Sequence, residues 1–141
     1  MLRDNPTEIV REAYRRWIES GGTDPDSVMD LIADDVDWEV LGNGRAGCEC
    51  TGRCAGKAEM IAFLVALNTD WAMEDYTIDE VIGTGERVIV VGSIRFRSRK
   101  TGHSFFTPKV DVLTVRDGQI VAGKEIFDTG AMAEAALSPA G

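Results

Sequence analysis

The sequence predicts an α+β fold in which a strongly curved antiparallel sheet wraps around helices from the N-terminal half of the chain. Two observations carry this prediction. Helical periodicity dominates the first half of the chain, whereas the second half consists of alternating apolar and polar runs joined by tight turns. Successive hairpins build an antiparallel sheet, and a long sheet curled over helices leaves a concave internal pocket. We expect a single domain spanning residues 1–141.

Three helices are predicted in the first half. The first begins after Asn5, whose side chain can cap it, with Pro6 in the first turn, and it ends at Gly21-Gly22. A second, shorter helix starts at Pro25. The third runs over residues 57–68 and is apolar on most of its surface.

Five strands are predicted by alternation. The first covers residues 36–41 and places Val36, Trp38 and Val40 on one face. A glycine-rich loop over residues 42–56 follows. The remaining runs are 73–82, 88–97, 104–116 and 120–128, and Asp117-Gly118 predicts a two-residue hairpin between the last two. Residues 131–137 can add a terminal helical turn.

Charge and hydropathy exclude two classes of partner. The chain has 24 acidic and 15 basic residues, a net charge of −9, so a polyanion is repelled and no nucleic-acid partner is expected. The longest apolar run, residues 60–67, is too short to span a bilayer, and the first residues do not have the pattern of a signal peptide. The sequence therefore predicts a cytoplasmic protein without a membrane partner.

The cysteines are confined to one loop. Cys48, Cys50 and Cys54 are an odd number, which argues against a disulfide framework, and a zinc site would need a fourth ligand. The only histidine, His103, is distant in sequence. We expect free thiols and no bound metal.

Three segments together resemble a known family. They are residues 31–38 (Leu-Ile-Ala-Asp-Asp-Val-Asp-Trp), the glycine loop before the third helix, and residues 115–120 (Val-Arg-Asp-Gly-Gln-Ile) leading to Phe127-Asp128. The chain is similar here to the SnoaL-like and ketosteroid-isomerase-like branch of the nuclear transport factor 2-like superfamily. That resemblance implies a cone-shaped α+β barrel with a mixed sheet, a homodimer formed through the sheet face, and no cofactor. It leaves the reaction open, because the scaffold serves isomerases, cyclases, dehydratases, epoxide hydrolases and non-enzymes.

The resemblance assigns roles to individual residues. Tyr14 and Asp111 fall where ketosteroid isomerases hold two hydrogen-bond donors to an oxyanion, the second of which is a carboxylic acid that its apolar surroundings keep neutral. The general base of those enzymes falls at Val40, which cannot accept a proton. Asp128 falls at the acid/base aspartate of SnoaL-type cyclases. Lys109, Asp111 and Asp128 also resemble the charged set of limonene-epoxide-hydrolase-like enzymes.

The residues themselves leave alternatives for both aspartates. Asp111 shares a strand face with Leu113 and Val115, so it is either a pocket acid or an exposed group on an outward face. Asp128 alternates with a mainly apolar set, comprising Ile120, Ala122, Lys124 and Ile126. It can instead cap the following turn, because Asp-Thr-Gly is favourable capping chemistry.

We therefore predict an acid/base enzyme that acts on a small hydrophobic, oxygen-bearing molecule. Asp128 would move the proton, and Asp111 with Tyr14 would stabilise negative charge on oxygen. The predicted ligand-binding residues are Trp38, Val40, Lys109, Phe63, Phe96 and Ile126. The alternative is a non-catalytic module of the same fold for ligand binding or dimerisation.

Overall fold

The computed structural model describes residues 5–139, which form three α-helices, one 3₁₀ helix and six strands. In chain order these are α1 (Pro6–Glu19), the 3₁₀ helix (Pro25–Leu31), β1 (Ile32–Val40), β2 (Gly52–Ala55), α2 (Lys57–Asp70), β3 (Trp71–Thr84), β4 (Arg87–Ser98), β5 (Ser104–Arg116), β6 (Gln119–Phe127) and α3 (Thr129–Leu137).

The six strands form one curved, mixed sheet in the order β2-β1-β6-β5-β4-β3. β1 runs parallel to β6, and every other neighbouring pair is antiparallel. Within the described residues the sheet does not close, because β2 and β3 remain its edges. The predicted α+β class with a strongly curved mixed sheet is confirmed.

Helix α1 forms as its sequence predicts. The Asn5 side chain accepts a hydrogen bond of 3.2 Å from the Glu8 backbone, and Pro6 occupies the first turn, where no backbone donor is needed. Ile9 and Val10 lie on its buried face and are almost completely enclosed. Burial of this stripe against the sheet fixes the orientation of α1 and, with it, the direction in which Tyr14 points.

Three segments differ from the sequence-based expectation. The second helix is a 3₁₀ helix rather than an α-helix. Residues 52–55, expected within a loop, form strand β2, which pairs Cys54 with Trp38 of β1. Such a short edge strand has no alternating pattern to reveal it, because its pairing with β1 defines it. The terminal turn extends to a helix, Thr129–Leu137.

Strand β6 contains one extra residue close to its start. The pairing with β5 passes from Ala122 opposite Thr114 to Ile120 opposite Val115, so β6 uses two residues where β5 uses one. This is a β-bulge, and it shifts the alternation of side chains between the two faces of the sheet. After the bulge, the residues on the inward face are Gly123, Glu125 and Phe127.

The core lies between the concave face of the sheet and the helices. One cluster of buried side chains joins α1, the 3₁₀ helix and α2 to β1 and the central strands. A second cluster around Trp71, Phe96 and Phe105 is covered by α3 through Met132. The two clusters leave a cavity between them. None of the helices within residues 5–139 combines the length and the apolar character that a membrane span requires.

Candidate functional site

The cavity has a volume of about 100 Å³ and is lined mainly by apolar side chains. Its walls come from the three α-helices, the 3₁₀ helix and five of the six strands, together with Cys50 from the segment before β2. Polar atoms enter this wall at one end, where β5 and β6 lie beside α1 and β3. The side chains at this polar end are Tyr14, Trp38, Tyr76, Lys109 and Glu125.

Lys109 is the centre of the polar end. It lies on the inward face of β5 and is 5% exposed. Its ammonium donates to both oxygens of Asp111, at 2.7 and 2.6 Å, and to the hydroxyl oxygen of Tyr76 at 2.7 Å. Glu125 Oε1 lies 2.7 Å from the same Nζ atom. One buried cation therefore joins two carboxylates and a phenol.

Asp111 lies directly behind the cavity wall rather than on it. It is 1% exposed, two residues after Lys109 on the same strand face. The Tyr14 hydroxyl donates to Asp111 Oδ2, so α1 and β5 are joined through this pair. Asp111 is buried, as the pocket-acid interpretation requires, but it does not line the cavity, and its contact with the cavity runs through Tyr14 and Lys109.

Glu125 is the only carboxylate on the cavity wall within residues 5–139. Its side chain is 16% exposed, and its second oxygen, Oε2, accepts a 2.8 Å hydrogen bond from the Trp38 indole. The Trp38 ring occupies this position because residue 123 is glycine. A Cβ atom there would lie 2.2 Å from Trp38 Cζ3. Gly123 thus gives the indole room to reach Glu125.

Burial and charge act together on the protonation of this cluster. Burial raises the pKa of Asp111, the charge of Glu125 raises it further, and Lys109 opposes both. For Lys109, burial favours the neutral amine, but the charges of Asp111 and Glu125 outweigh it and the pKa lies above its usual range. Burial also raises the pKa of Tyr14 and of Tyr76, so both phenols keep their hydroxyl hydrogen.

Six of the predicted site residues line the cavity: Tyr14, Trp38, Val40, Phe63, Phe96 and Lys109. Trp38 and Val40 do so because the alternation of β1 is unbroken from Val36 onwards, as the sequence indicated. The positions of these side chains agree with the prediction. Their roles in binding and catalysis stay predictions.

The predicted placement of Asp128 in the pocket is wrong. Asp128 is exposed, and its Oδ1 accepts a 3.1 Å hydrogen bond from the Ala131 backbone as the N-cap of α3. Ile126, also predicted to line the pocket, is 37% exposed on the outer face. Both errors have the same cause. The bulge in β6 shifts the alternation, so Ile126 and Asp128 lie on the outward face although their spacing matches that of the inward Ile120. The alternative interpretation of Asp128 as a helix cap is confirmed.

Two site residues, Glu125 and Tyr76, were not identified from the sequence. When the alternation of β6 is counted backwards from Phe127 rather than forwards from Ile120, Glu125 falls on the inward face. Tyr76 lies on β3 between two irregularities in the pairing with β4, so no regular alternation marks its face. Its one signal is an aromatic residue in an otherwise acidic segment.

Cys48 and Cys50 lie in the segment before β2, and Cys54 lies in β2 opposite Trp38. All three are buried free thiols, and Cys50 lines the cavity close to Met132. Burial raises the pKa of the Cys50 thiol to about 12, which keeps it in the unreactive thiol form. Within residues 5–139, no group of His, Cys, Asp and Glu has the arrangement of a metal site.

Comparisons with known proteins agree with this architecture. The profile of the SnoaL-like domain matches residues 10–123. A nuclear transport factor 2-like protein from Burkholderia thailandensis is 28% identical, with a TM-score of 0.81 over 95% of this chain and 98% of that chain. TerC, co-crystallised with polyporic acid, is 26% identical, with a TM-score of 0.81 over 95% of this chain and 100% of its own.

More distant structures share the fold alone. A putative SnoaL-like polyketide cyclase from a Jannaschia species is 18% identical, with a TM-score of 0.74 over 93% of this chain and 92% of that chain. No curated protein sequence matches this chain significantly.

Proposed function

Since the chain belongs to the SnoaL-like family, we propose that its cavity binds a small, mainly apolar, oxygen-bearing molecule and that Glu125 exchanges a proton with it. The observation that carries this proposal is the contact of one carboxylate with an otherwise apolar cavity. Glu125 lies there beside the Lys109 ammonium, with an Nζ–Oε1 distance of 2.7 Å. Perturbed ionisable groups at one end of a cavity are typical of functional sites.

The walls and the polar end have separate tasks in this proposal. Apolar walls gain about 25 cal/mol for each Å² of ligand hydrocarbon removed from water, without selecting its orientation. The polar end supplies the orientation, because a ligand oxygen that lies elsewhere in the cavity loses its hydrogen bonds. A molecule with one oxygenated end and a hydrocarbon body therefore fits best.

Glu125 is held in a fixed orientation but can still accept a proton. Lys109 and the Trp38 indole each occupy one of its oxygens, and each carboxylate oxygen has a second lone pair. In the proposed step, a C–H bond beside a carbonyl breaks and its proton moves to Glu125. The electron pair shifts to the carbonyl oxygen as an enolate, whose oxygen lies at the polar end. Return of the proton to the same or another carbon completes exchange or isomerisation.

Deuterium exchange tests this step directly. The probe is 1-tetralone in heavy water, with incorporation beside the carbonyl followed by NMR. We expect the parent protein to accelerate exchange and Glu125→Gln to lose about 100-fold or more of that acceleration.

The matched control is Asp128→Asn, which changes a carboxylate outside the cavity and should exchange at the parent rate. Binding of 1-tetralone to Glu125→Gln should persist. Exchange by Glu125→Gln at the parent rate would exclude Glu125 as the proton acceptor.

A second candidate function is ligand binding without turnover. It is favoured by the two hydrogen bonds that already occupy Glu125 and by valine at position 40, where the related isomerases keep their base. In that case the parent protein binds 1-tetralone but leaves its exchange rate unchanged. The same experiment therefore separates the two functions.

We also propose that the outer face of the sheet mediates homodimerisation. Val91 pairs with Val110 on neighbouring strands, and Val112 and the 53% exposed Phe106 lie on the same face. A contiguous apolar face of this kind favours association. We expect a dimeric mass by analytical ultracentrifugation and a monomer for Val112→Glu. A parent protein that sediments as a monomer would contradict the proposal.

A further inference from the structure

The hydrogen bonds of the polar end can be counted donor by donor. An ammonium has three hydrogens, and four acceptor atoms surround that of Lys109: two oxygens of Asp111, one of Glu125 and the hydroxyl oxygen of Tyr76. All three are therefore in use. The Tyr14 hydrogen is donated to Asp111, and the indole hydrogen of Trp38 is donated to Glu125.

The hydroxyl hydrogen of Tyr76 is the one donor left over. Its oxygen accepts from Lys109 at 2.7 Å, and an ammonium cannot accept a hydrogen bond in return. Among residues 5–139, Lys109 is the only hydrogen-bond partner of this hydroxyl group. Tyr76 lines the cavity, so a ligand in the cavity can provide the missing acceptor.

From this count, which rests on the proposed binding function, we infer that the Tyr76 hydroxyl donates a hydrogen bond to the ligand oxygen and selects a neutral carbonyl group. The hydrogen bond from Lys109 withdraws electron density from the Tyr76 oxygen, and this makes the Tyr76 O–H a stronger hydrogen-bond donor. The high pKa that burial gives Tyr76 keeps this hydrogen in place at neutral pH.

The surroundings hold the Tyr76 ring in a fixed position. Tyr14 packs edge-on against it, with ring centroids 6.1 Å apart and an interplanar angle of 76°. Lys109 Nζ lies 5.2 Å from the Tyr76 ring centroid. A donor placed in this way needs little reorganisation when a ligand arrives. The donor role that the family resemblance gives to Tyr14 therefore belongs to Tyr76 here, because the Tyr14 hydroxyl already donates its hydrogen bond to Asp111.

The charges of the same cluster select against anionic ligands. Two carboxylates share one ammonium, so the polar end has no excess positive charge to offer a carboxylate or a phosphate. Lys109 also has no hydrogen left to donate to such a group. A ketone needs one donor and no counter-ion, and Tyr76 provides that donor.

The test compares a ketone with the hydrocarbon of the same shape. Calorimetry measures the affinities of 1-tetralone and tetralin for the parent protein and for Tyr76→Phe, which removes only the hydroxyl group. We expect the parent to prefer the ketone and Tyr76→Phe to lose about 3- to 10-fold of that preference, as for one hydrogen bond. Tetralin affinity should be unchanged, which makes each variant its own control for folding.

Infrared spectroscopy gives a readout that needs no variant. The carbonyl stretch of 1-tetralone should move to lower frequency when the ketone binds the parent protein and return towards its free value in Tyr76→Phe. Lys124→Met, which changes a half-exposed side chain outside the cavity, should keep both the ketone preference and the shifted band.

The outcomes separate this inference from the binding function. A ketone preference or a shifted band that persists in Tyr76→Phe overturns the role of Tyr76 and leaves the binding function standing. A parent protein that binds the two ligands equally, with no shift of the band, overturns it as well. A parent protein that binds neither ligand contradicts the proposed function and the inference together.

Discussion

The polar end of the cavity and the rim where β6 passes into α3 each carry an aspartate, and the two aspartates have opposite environments. Asp111 is 1% exposed and receives hydrogen bonds from Lys109 and Tyr14. Asp128 is exposed and caps a helix. Both follow runs of alternating residues in the sequence. The difference shows that the phase of the strand, rather than residue type, decides which carboxylate is buried.

The two regions also differ in how they contribute to stability. At the polar end, removal from water is costly for each ion, so the carboxylates depend on Lys109. At the rim, Asp128 stays in contact with water and stabilises the protein by accepting a hydrogen bond from a backbone N–H of α3 that has no partner within the helix. Removal of a partner should therefore have a large effect at the polar end and a small one at the rim.

The largest effect is expected for Lys109→Met. Loss of the ammonium leaves Asp111 and Glu125 without a counter-ion in a buried site, and we expect the free energy of unfolding to fall by about 3–5 kcal/mol. Urea unfolding at pH 8 measures this change. The control is Lys124→Met, because Lys124 is 50% exposed and 3.6 Å from Glu39, a pair that contributes little. Similar losses in both variants would contradict a special role for the buried cation.

The same variant has a pH dependence of defined sign. The pKa of Asp111 is raised in the folded state by burial and by Glu125, so ionisation of Asp111 opposes folding. Lys109 lowers that pKa, and its loss raises the pKa further. Lys109→Met should therefore recover stability between pH 8 and pH 5, as Asp111 regains its proton, and should recover more than the parent protein. Unfolding curves at the two pH values provide the comparison.

An intermediate effect is expected for Gly123→Ala. The added methyl group would lie 2.2 Å from Trp38 Cζ3 and 2.8 Å from Leu113 Cδ2, so the indole must move. We expect a loss of about 1–3 kcal/mol, as for other overpacked cores. The indole N–H resonance of Trp38 should also shift, because displacement weakens its hydrogen bond to Glu125. An unchanged resonance would show that Gly123 does not position Trp38.

Regular alternation made much of this architecture predictable. The inward face of β5 is unbroken from Phe105 to Val115, so its alternation puts Lys109 and Asp111 on one face, and the family resemblance places that face at the pocket. The cap and the apolar stripe of α1 likewise placed Tyr14. Where the alternation is regular, the sequence shows which side chains of a strand share a face of the sheet.

Irregular pairing limited the rest. The extra residue in β6 is specified by its pairing with β5, so an alternation counted forwards from Ile120 puts Asp128 inward and Glu125 outward. The face of Tyr76 is also hard to predict, because Tyr76 lies on β3 between two irregularities in the pairing with β4. Strand β2 is defined by its pairing with β1 rather than by its own sequence. These features depend on the partner strand, which a local pattern does not include.

The smallest effect, and the sharpest test of the rim, comes from Asp128. Asp128→Ala removes the acceptor for the Ala131 backbone hydrogen and should cost about 1 kcal/mol, whereas Asp128→Asn should cost almost nothing, because asparagine caps equally well. Denaturant unfolding of the two variants measures the difference. If Asp128 moved a proton, both variants would lose activity, since neither alanine nor asparagine can accept the proton that aspartate does. Asp128→Asn with parent stability but without exchange of 1-tetralone would return the chemistry to Asp128, whereas parent exchange in both variants keeps it with Glu125.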